Sequence, residues 1–301
     1  MTNQALLSSH CPELRLISRG KVRDLYDISE DSLLFVATDR ISAFDVVMKT
    51  GIPGKGKILT QLSVFWFNLL QDVLPNHLIT ADIDAMPAEV QQYRDQLAGR
   101  SLLVKKVNIF PVEAIVRGYI SGSGWKEYKA HQTVCDIPLP ANLVESQKLP
   151  APLFTPSTKA DLGEHDMNIH PSKVAELIGQ PRTEEMEKAA LALYNQAHQY
   201  AATKGILIAD TKFEFGWDPR TERMVLADEV LTPDSSRFWD AQTYQAGSTP
   251  TSFDKQYLRD YLTSVQFDGK TSLDLPEEIT RNTLQKYIEA FRILTGKEPE
   301  L

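Results

Sequence analysis

The densest chemistry in the chain lies in residues 205–230. Asp210, Lys212 and Glu214 alternate along a strand, which puts them on one face and leaves Thr211, Phe213 and Phe215 on the other. Asp218-Pro219-Arg220 predicts a turn, and the returning strand ends in Asp228-Glu229. Carboxylates this close repel one another unless cations lie among them. Hard divalent ions such as Mg2+ prefer oxygen ligands of this kind. The alternative is an exposed hairpin with a solvated charged face. The core-like runs Ile206-Leu207-Ile208-Ala209 and Val225-Leu226-Ala227 argue against it, because they bury the hairpin and set its acidic face in a cleft. The pattern favours a metal–phosphate site.

Other stretches offer partners for an anion. Arg117-Gly118-Tyr119-Ile120-Ser121-Gly122-Ser123-Gly124 follows an apolar strand, and its arginine fork, free backbone N–H groups and Ser123 suit a phosphate better than a plain turn would. Gly20-Lys21-Val22-Arg23 projects Lys21 and Arg23 from one side of a strand, as a lid over a triphosphate requires, although one glycine alone also fits an ordinary charged strand. Gly51-Ile52-Pro53-Gly54-Lys55-Gly56-Lys57-Ile58 nearly spells a P-loop. Ile58 lacks the metal-binding hydroxyl and Pro53 lacks an amide donor, so the run reads as a glycine-rich turn. The polar run from Lys159 to Asp166 reads by default as a solvated loop, and Arg237 closely follows the hairpin as a clamp for phosphate or carboxylate.

The elements that must position these groups are legible in outline. Residues 20–27, 32–38, 102–107 and 112–116 read as strands. Leu59, Leu62, Trp66, Leu69, Leu70 and Val73 repeat at helical spacing up to Pro75-Asn76. The five prolines between Pro138 and Pro156 predict a long surface connection. Thr183 is the expected cap of a helix whose buried stripe is Met186, Ala190, Leu193, Tyr194, Ala197 and Ala201. Two further helices are expected around Tyr257–Leu262 and Leu284–Leu294, the second stopped by Gly296. Strands and a helix followed by helix, hairpin and helices predict an α+β chain with a cleft between two lobes.

The chain has 301 residues and a formal charge of −8, which argues against general nucleic-acid binding and requires basic residues to be gathered locally around anionic ligands. Two distant cysteines, no secretory signal pattern and no apolar run of membrane-spanning length predict a protein of the cytoplasm without a membrane partner. A kinase is a competing reading of the N-terminal strands, but neither a His-Arg-Asp nor an Asp-Phe-Gly tripeptide occurs. A nucleotide sensor without turnover is a second.

Taken in order, residues 20–24, 38–45, 112–118, 210–216 and 228–235 closely resemble the phosphoribosylaminoimidazole-succinocarboxamide synthase (SAICAR synthetase) family in its longer single-function form. The likeness runs from about residue 15 to the last helix. It implies an ATP-dependent ligase of purine biosynthesis that uses Mg2+ and joins the carboxylate of carboxyaminoimidazole ribonucleotide to the amine of L-aspartate. ADP and phosphate are the other products, and an acyl phosphate is the implied intermediate. The implied fold has a kinase-like antiparallel β lobe over residues 1–108, a larger ATP-grasp-like α+β lobe over 109–301, and ATP in the cleft between them. By the same resemblance Gly20, Lys21 and Arg23 cover ATP, whose adenine lies against the backbone at Lys105, Lys106 and Ile109. Glu214 and Asp228 hold metal, with Glu214 also at the nucleotide. Asp210, Lys212 and Arg237 match catalytic positions. Asp45, Arg117, Ser123, Lys159, Asp166, Lys212 and Arg237 match substrate-binding ones. The oligomeric state stays open between monomer and homo-oligomer.

Overall fold

The computed structural model describes residues 4–159 and 167–301. Its N-terminal part is a five-stranded antiparallel sheet in the spatial order Arg15–Arg19, Arg23–Asp27, Ser32–Ala37, Ser101–Lys105, Leu78–Thr80. Period-two patterning decides which way each strand faces. Leu34 and Val36 enter a small outer core with Tyr26, Ile83, Val90 and Leu97, while Leu33 and Phe35 turn to the opposite side and the main core. The strands expected at 20–27, 32–38 and 102–107 all form, each trimmed or shifted at its ends.

The larger part is organised on one strand, Ile206–Asp218, which is 13 residues long. It changes neighbours halfway. Its first half runs between Val112–Tyr119 and Ser236–Asp240, and its second half between Arg223–Ala227 and Asn108–Ile109. Register then does the positioning. Asp210 stands opposite Arg117 on one side and Arg237 on the other, and Glu214 stands opposite Ala227, one residue before Asp228. On the far face Phe213 and Phe215 are fully buried, as the alternation requires. The helix Gln180–Thr203 covers that face with the six apolar residues expected of it. The helix Lys55–Leu70 buries Leu59, Leu62, Trp66 and Leu70 and packs against the C-terminal helix Glu277–Thr295, which ends at Gly296 with φ 70°. The fold is α+β, an antiparallel N-terminal lobe beside a larger mixed one.

Two expectations fail for physical reasons. The proline-rich connection contains a strand, Lys148–Phe154, paired with Val112–Tyr119 at the sheet edge. Pro150 and Pro152 fall inside a register break between Lys148 and Leu153, where missing amide donors interrupt no ladder. Thr183 is not the helix cap. The helix begins at Gln180 after Gly179, with Pro181 in its first turn, and the Thr183 hydroxyl donates to the Gly179 carbonyl at 2.9 Å. A further helix, Pro171–Ile178, carries one buried residue, Val174, too few for a periodic signal. Among the described residues no helix is long and apolar enough to cross a membrane.

Behind the central sheet His198 stacks on Tyr194, ring centroids 5.5 Å apart and planes 10° apart, with its Nδ1 buried and unpartnered. Burial, with Lys148 nearby, pushes the imidazole below its ordinary pKa. A histidine depressed in the folded state contributes stability above its unfolded pKa of about 6.5, and that stability is lost as pH falls towards the folded value. Replacing His198 by Phe should therefore flatten the loss of denaturant resistance between about pH 7 and pH 5. Urea melts of the two proteins across that range measure it.

Candidate active site

The cleft between the two sheets is about 1360 Å³ in volume, and its walls come from both. Gly20, Lys21 and Arg23 descend from the first sheet, Ile109 and Lys159 stand at the junction, and Lys212, Glu214 and Asp228 rise from the hairpin. Every acidic group here has a basic partner from another segment. Arg23 Nη1 lies 2.6 Å from Asp228, Lys159 Nζ 2.6 Å from Glu214, Lys212 Nζ 2.5 Å from Glu113, and Lys21 Nζ 2.5 Å from Asp45. The electrostatics are uneven. Burial and the charge of Asp228 push the Glu214 carboxyl up, against the opposing pull of Lys159 and Lys212. Burial would also raise Asp228, but Arg23 outweighs it and holds that carboxylate low. Lys212 is kept firmly protonated, because Glu113 more than offsets its desolvation. A buried carboxylate on one strand and a half-buried one just past the end of its neighbour, the first reluctant to ionise, form a set that a further cation would stabilise.

Lys212, Asp234 and Ser235 also line a second compartment, so the two adjoin. Its anchor is Asp210. Arg237 Nη1 donates to both carboxylate oxygens at 2.9 and 2.7 Å, Arg117 Nη1 lies 3.6 Å away, and the Ser121 hydroxyl donates at 3.1 Å. The Arg117 guanidinium also donates to Thr155 and to Ser123 at 3.1 and 3.0 Å. Two guanidiniums share one carboxylate, so the compartment keeps a net positive charge. Arg259, on the helix Gln256–Ser264, adds to it. Burial opposes ionisation of Asp210, but Arg237 and Arg117 outweigh it and hold the group below its ordinary range. Gly122 is required here. Its φ is 56°, and a Cβ would lie 2.2 Å from Arg237 Nη2.

The expected residues divide accordingly. Gly20, Lys21, Arg23, Asp45, Ile109, Lys159, Lys212, Glu214 and Asp228 meet in the cleft, and Arg117, Ser123, Asp210 and Arg237 in the adjoining compartment. Lys105 and Lys106 do not line it. The Lys106 ammonium turns to Asp27 and the Ser29 carbonyl, both at 2.6 Å, and Lys105 contributes its backbone N–H to the His77 carbonyl. Asp166 lies outside the described residues. The P-loop-like run forms no phosphate cradle, since Lys55 is fully buried 2.8 Å from Asp234 and a Cβ on Gly56 would collide with the Ala37 carbonyl. Sequence reasoning did not single out Glu113, Asp234, Lys255 or Arg259, all of which line these spaces. Lys255 and Arg259 carried one available signal, basic residues four apart beside a helix start.

Comparison with known proteins decides what this arrangement serves. The family model described as SAICAR synthetase matches residues 16–276. Curated relatives named phosphoribosylaminoimidazole-succinocarboxamide synthase include one from Pichia angusta, 57% identical over 290 residues that cover 94% of this chain and 95% of that protein. Another, from Geobacter sulfurreducens, is 55% identical, covering 98% and 99%. The chain belongs to the SAICAR synthetase family. Among solved structures, the SAICAR synthase of Saccharomyces cerevisiae complexed with SAICAR superimposes with a TM-score of 0.90 at 47% identity, covering 98% of this chain and all of that one. A SAICAR synthetase in complex with ADP gives 0.70 at 30% identity, covering 96% and 100%. As a SAICAR synthetase the chain is an ADP-forming carbon–nitrogen ligase that joins L-aspartate to the carboxylate of carboxyaminoimidazole ribonucleotide. ATP and Mg2+ use follow from the same membership.

Removing the shared carboxylate should expose how much of this site is structural. Asp210→Ala leaves the buried Arg117 and the half-buried Arg237 without their counter-ion and should lower unfolding free energy by about 3 kcal/mol. Asp210→Asn, which still accepts hydrogen bonds, should lose less. Chemical denaturation of both variants checks the order.

Proposed function

We propose that the reaction is laid out along one face of the strand Ile206–Asp218, with the nucleotide at the Glu214 end and the ribonucleotide phosphate at the Asp210 end. The larger lobe in this reading spans residues 109–301, and residues 1–108 form the lobe that covers ATP. Gly20, Lys21 and Arg23 are assigned to the ATP phosphates, and the adenine to the backbone beside Ile109. Glu214 and Asp228 are assigned to Mg2+. Their fit rests on the donor set. Both offer hard carboxylate oxygens, and Glu214 is pushed towards its protonated form by burial and by Asp228, a state that a divalent cation reverses. Among the described residues no cluster of three or more potential ligands exists, which suits an ion completed by phosphate oxygens and water. Bound there, Mg2+ supplies charge neutralisation for phosphoryl transfer.

The chemistry demands this separation of charges. A carboxylate is a poor acyl donor because nitrogen attack would have to expel oxide. A substrate carboxylate oxygen attacking the γ-phosphorus of ATP releases ADP and makes an acyl phosphate. The amine of aspartate then attacks the acyl carbon, phosphate leaves, and the amide forms. Lys212, protonated and held between the two compartments by Glu113, is placed to offset the repulsion between substrate carboxylate and phosphate. Arg117, Ser123 and Arg237 are assigned to the ribose phosphate, with Arg259 beside them. Asp45 borders the outer compartment with Ser123 and Arg237, and Lys159 borders the cleft beside Glu214; both are assigned to substrate. Asp210, held ionised by two guanidiniums, is a weak proton acceptor and is assigned to positioning.

The observation that carries the reading is that one cleft joins Lys21 and Arg23, the Glu214–Asp228 pair and Lys212 to the guanidinium compartment. Glu214→Gln and Asp228→Asn should each lower kcat by about 10²–10³ at saturating substrates, the loss expected when charge stabilisation in a closed site is removed. A coupled assay of ADP release, run with and without L-aspartate and the carboxylated ribonucleotide, measures this. Turnover near that of the unaltered enzyme in either variant overturns the metal assignment.

A further inference from the structure

A tight turn at the mouth of the cleft is built from the wrong residues for its shape. The short strands Ser42–Ala43 and Val46–Val47 pair directly, Ala43 opposite Val46, which leaves Phe44 and Asp45 as a two-residue loop. Both have positive φ, 51° and 64°. Loops of this type favour glycine and asparagine, because a Cβ is strained in the left-handed region and a bulky side chain is an outlier there. Asp45 has a function in the turn, since it meets Lys21 across the cleft. Phe44 gains little by packing. It is 44% exposed, and its ring meets one other ring, Phe267, at 6.2 Å in a tilted arrangement.

The turn has a use for that ring. Phe44 lines the wide outer compartment of about 1470 Å³ together with Ile115, Ser123, Arg237 and Arg259. An aromatic residue held in a strained turn, half-exposed, and facing a cavity whose other large apolar side chain is Ile115 supplies that cavity with a flat apolar wall. The ligand that needs one carries a phosphate at one end, a reacting carboxylate at the other and a flat ring and sugar between them.

We propose that Phe44 is a specificity-determining residue whose ring packs against the heterocycle and ribose of the carboxylated aminoimidazole ribonucleotide. The inference rests on the assignment of Arg117, Ser123 and Arg237 to that substrate's phosphate. The turn holds Phe44 and Asp45 side by side, so the ring reaches the substrate while its neighbour is tied to the ATP-covering segment.

Phe44→Gly removes the ring and relieves the backbone. Phe44→Leu keeps bulk against Phe267 and removes the flat face. Phe44→Tyr keeps both. In steady-state assays of the full chain, the Gly and Leu variants should raise KM for the ribonucleotide about tenfold, a typical worth for apolar contact with a substrate. KM for L-aspartate and the Kd for Mg·ADP should stay within about twofold, and the Tyr variant should resemble the unaltered enzyme. Thermal melts of the Gly variant should hold or rise, since glycine suits the turn. Unchanged ribonucleotide KM in both the Gly and Leu variants overturns the proposal. Equal weakening of ribonucleotide and Mg·ADP overturns it as well, because the turn would then act through Lys21. Arg237→Ala is the control. If it leaves ribonucleotide KM unchanged, the phosphate assignment fails, whatever the Phe44 variants do.

Discussion

Carboxylates and cations are gathered in this cleft at a density that neither sign would tolerate alone. Asp210 needs Arg117 and Arg237, Lys212 needs Glu113, Asp228 needs Arg23, and Glu214 stays partly short of compensation even with Lys159 beside it. Mutual neutralisation between segments far apart in sequence is the condition under which the site exists. It also explains why the overall charge of −8 poses no obstacle to binding an anion, since the second compartment gathers Arg117, Lys212, Arg237 and Arg259 against only Asp210 and Asp234.

The pairs do more than balance charge. Arg23 belongs to the first sheet and Asp228 to the hairpin of the second, so their contact ties the two lobes across the cleft. Lys21 and Asp45 form a second tie at the rim. Each of these basic groups is also one that we propose for an incoming phosphate. On that proposed assignment, nucleotide binding exchanges an internal ion pair for an external one, an exchange that moderates affinity.

The central hairpin was legible in the sequence because strand alternation and charge placement there obey the same period of two. Asp210, Lys212 and Glu214 had to share a face, and the flanking aliphatic runs showed that this face was not simply solvated. Helix stripes such as Leu59-Leu62-Trp66 and Met186-Ala190-Tyr194 were readable for a similar reason, since burial follows a fixed spacing. Long-range facts lay beyond reach. Nothing local distinguishes Glu113 as the partner of Lys212, or Lys55 as a residue buried against Asp234, because both depend on register between strands and packing across lobes. Pro150 and Pro152 misled because a break in pairing at the sheet edge makes room for them, and the sequence carries no mark of that break.

The strand Ile206–Asp218 sets a length scale. Side chains two residues apart on one face are roughly 6.8 Å apart, so Asp210 and Glu214 are separated by roughly 13–14 Å of nearly inextensible backbone. A single inserted or deleted residue between them would turn one end of that face into the hydrophobic interior. This chain can change length in its loops and edges, whereas this stretch works as a gauge bar whose markings cannot be moved.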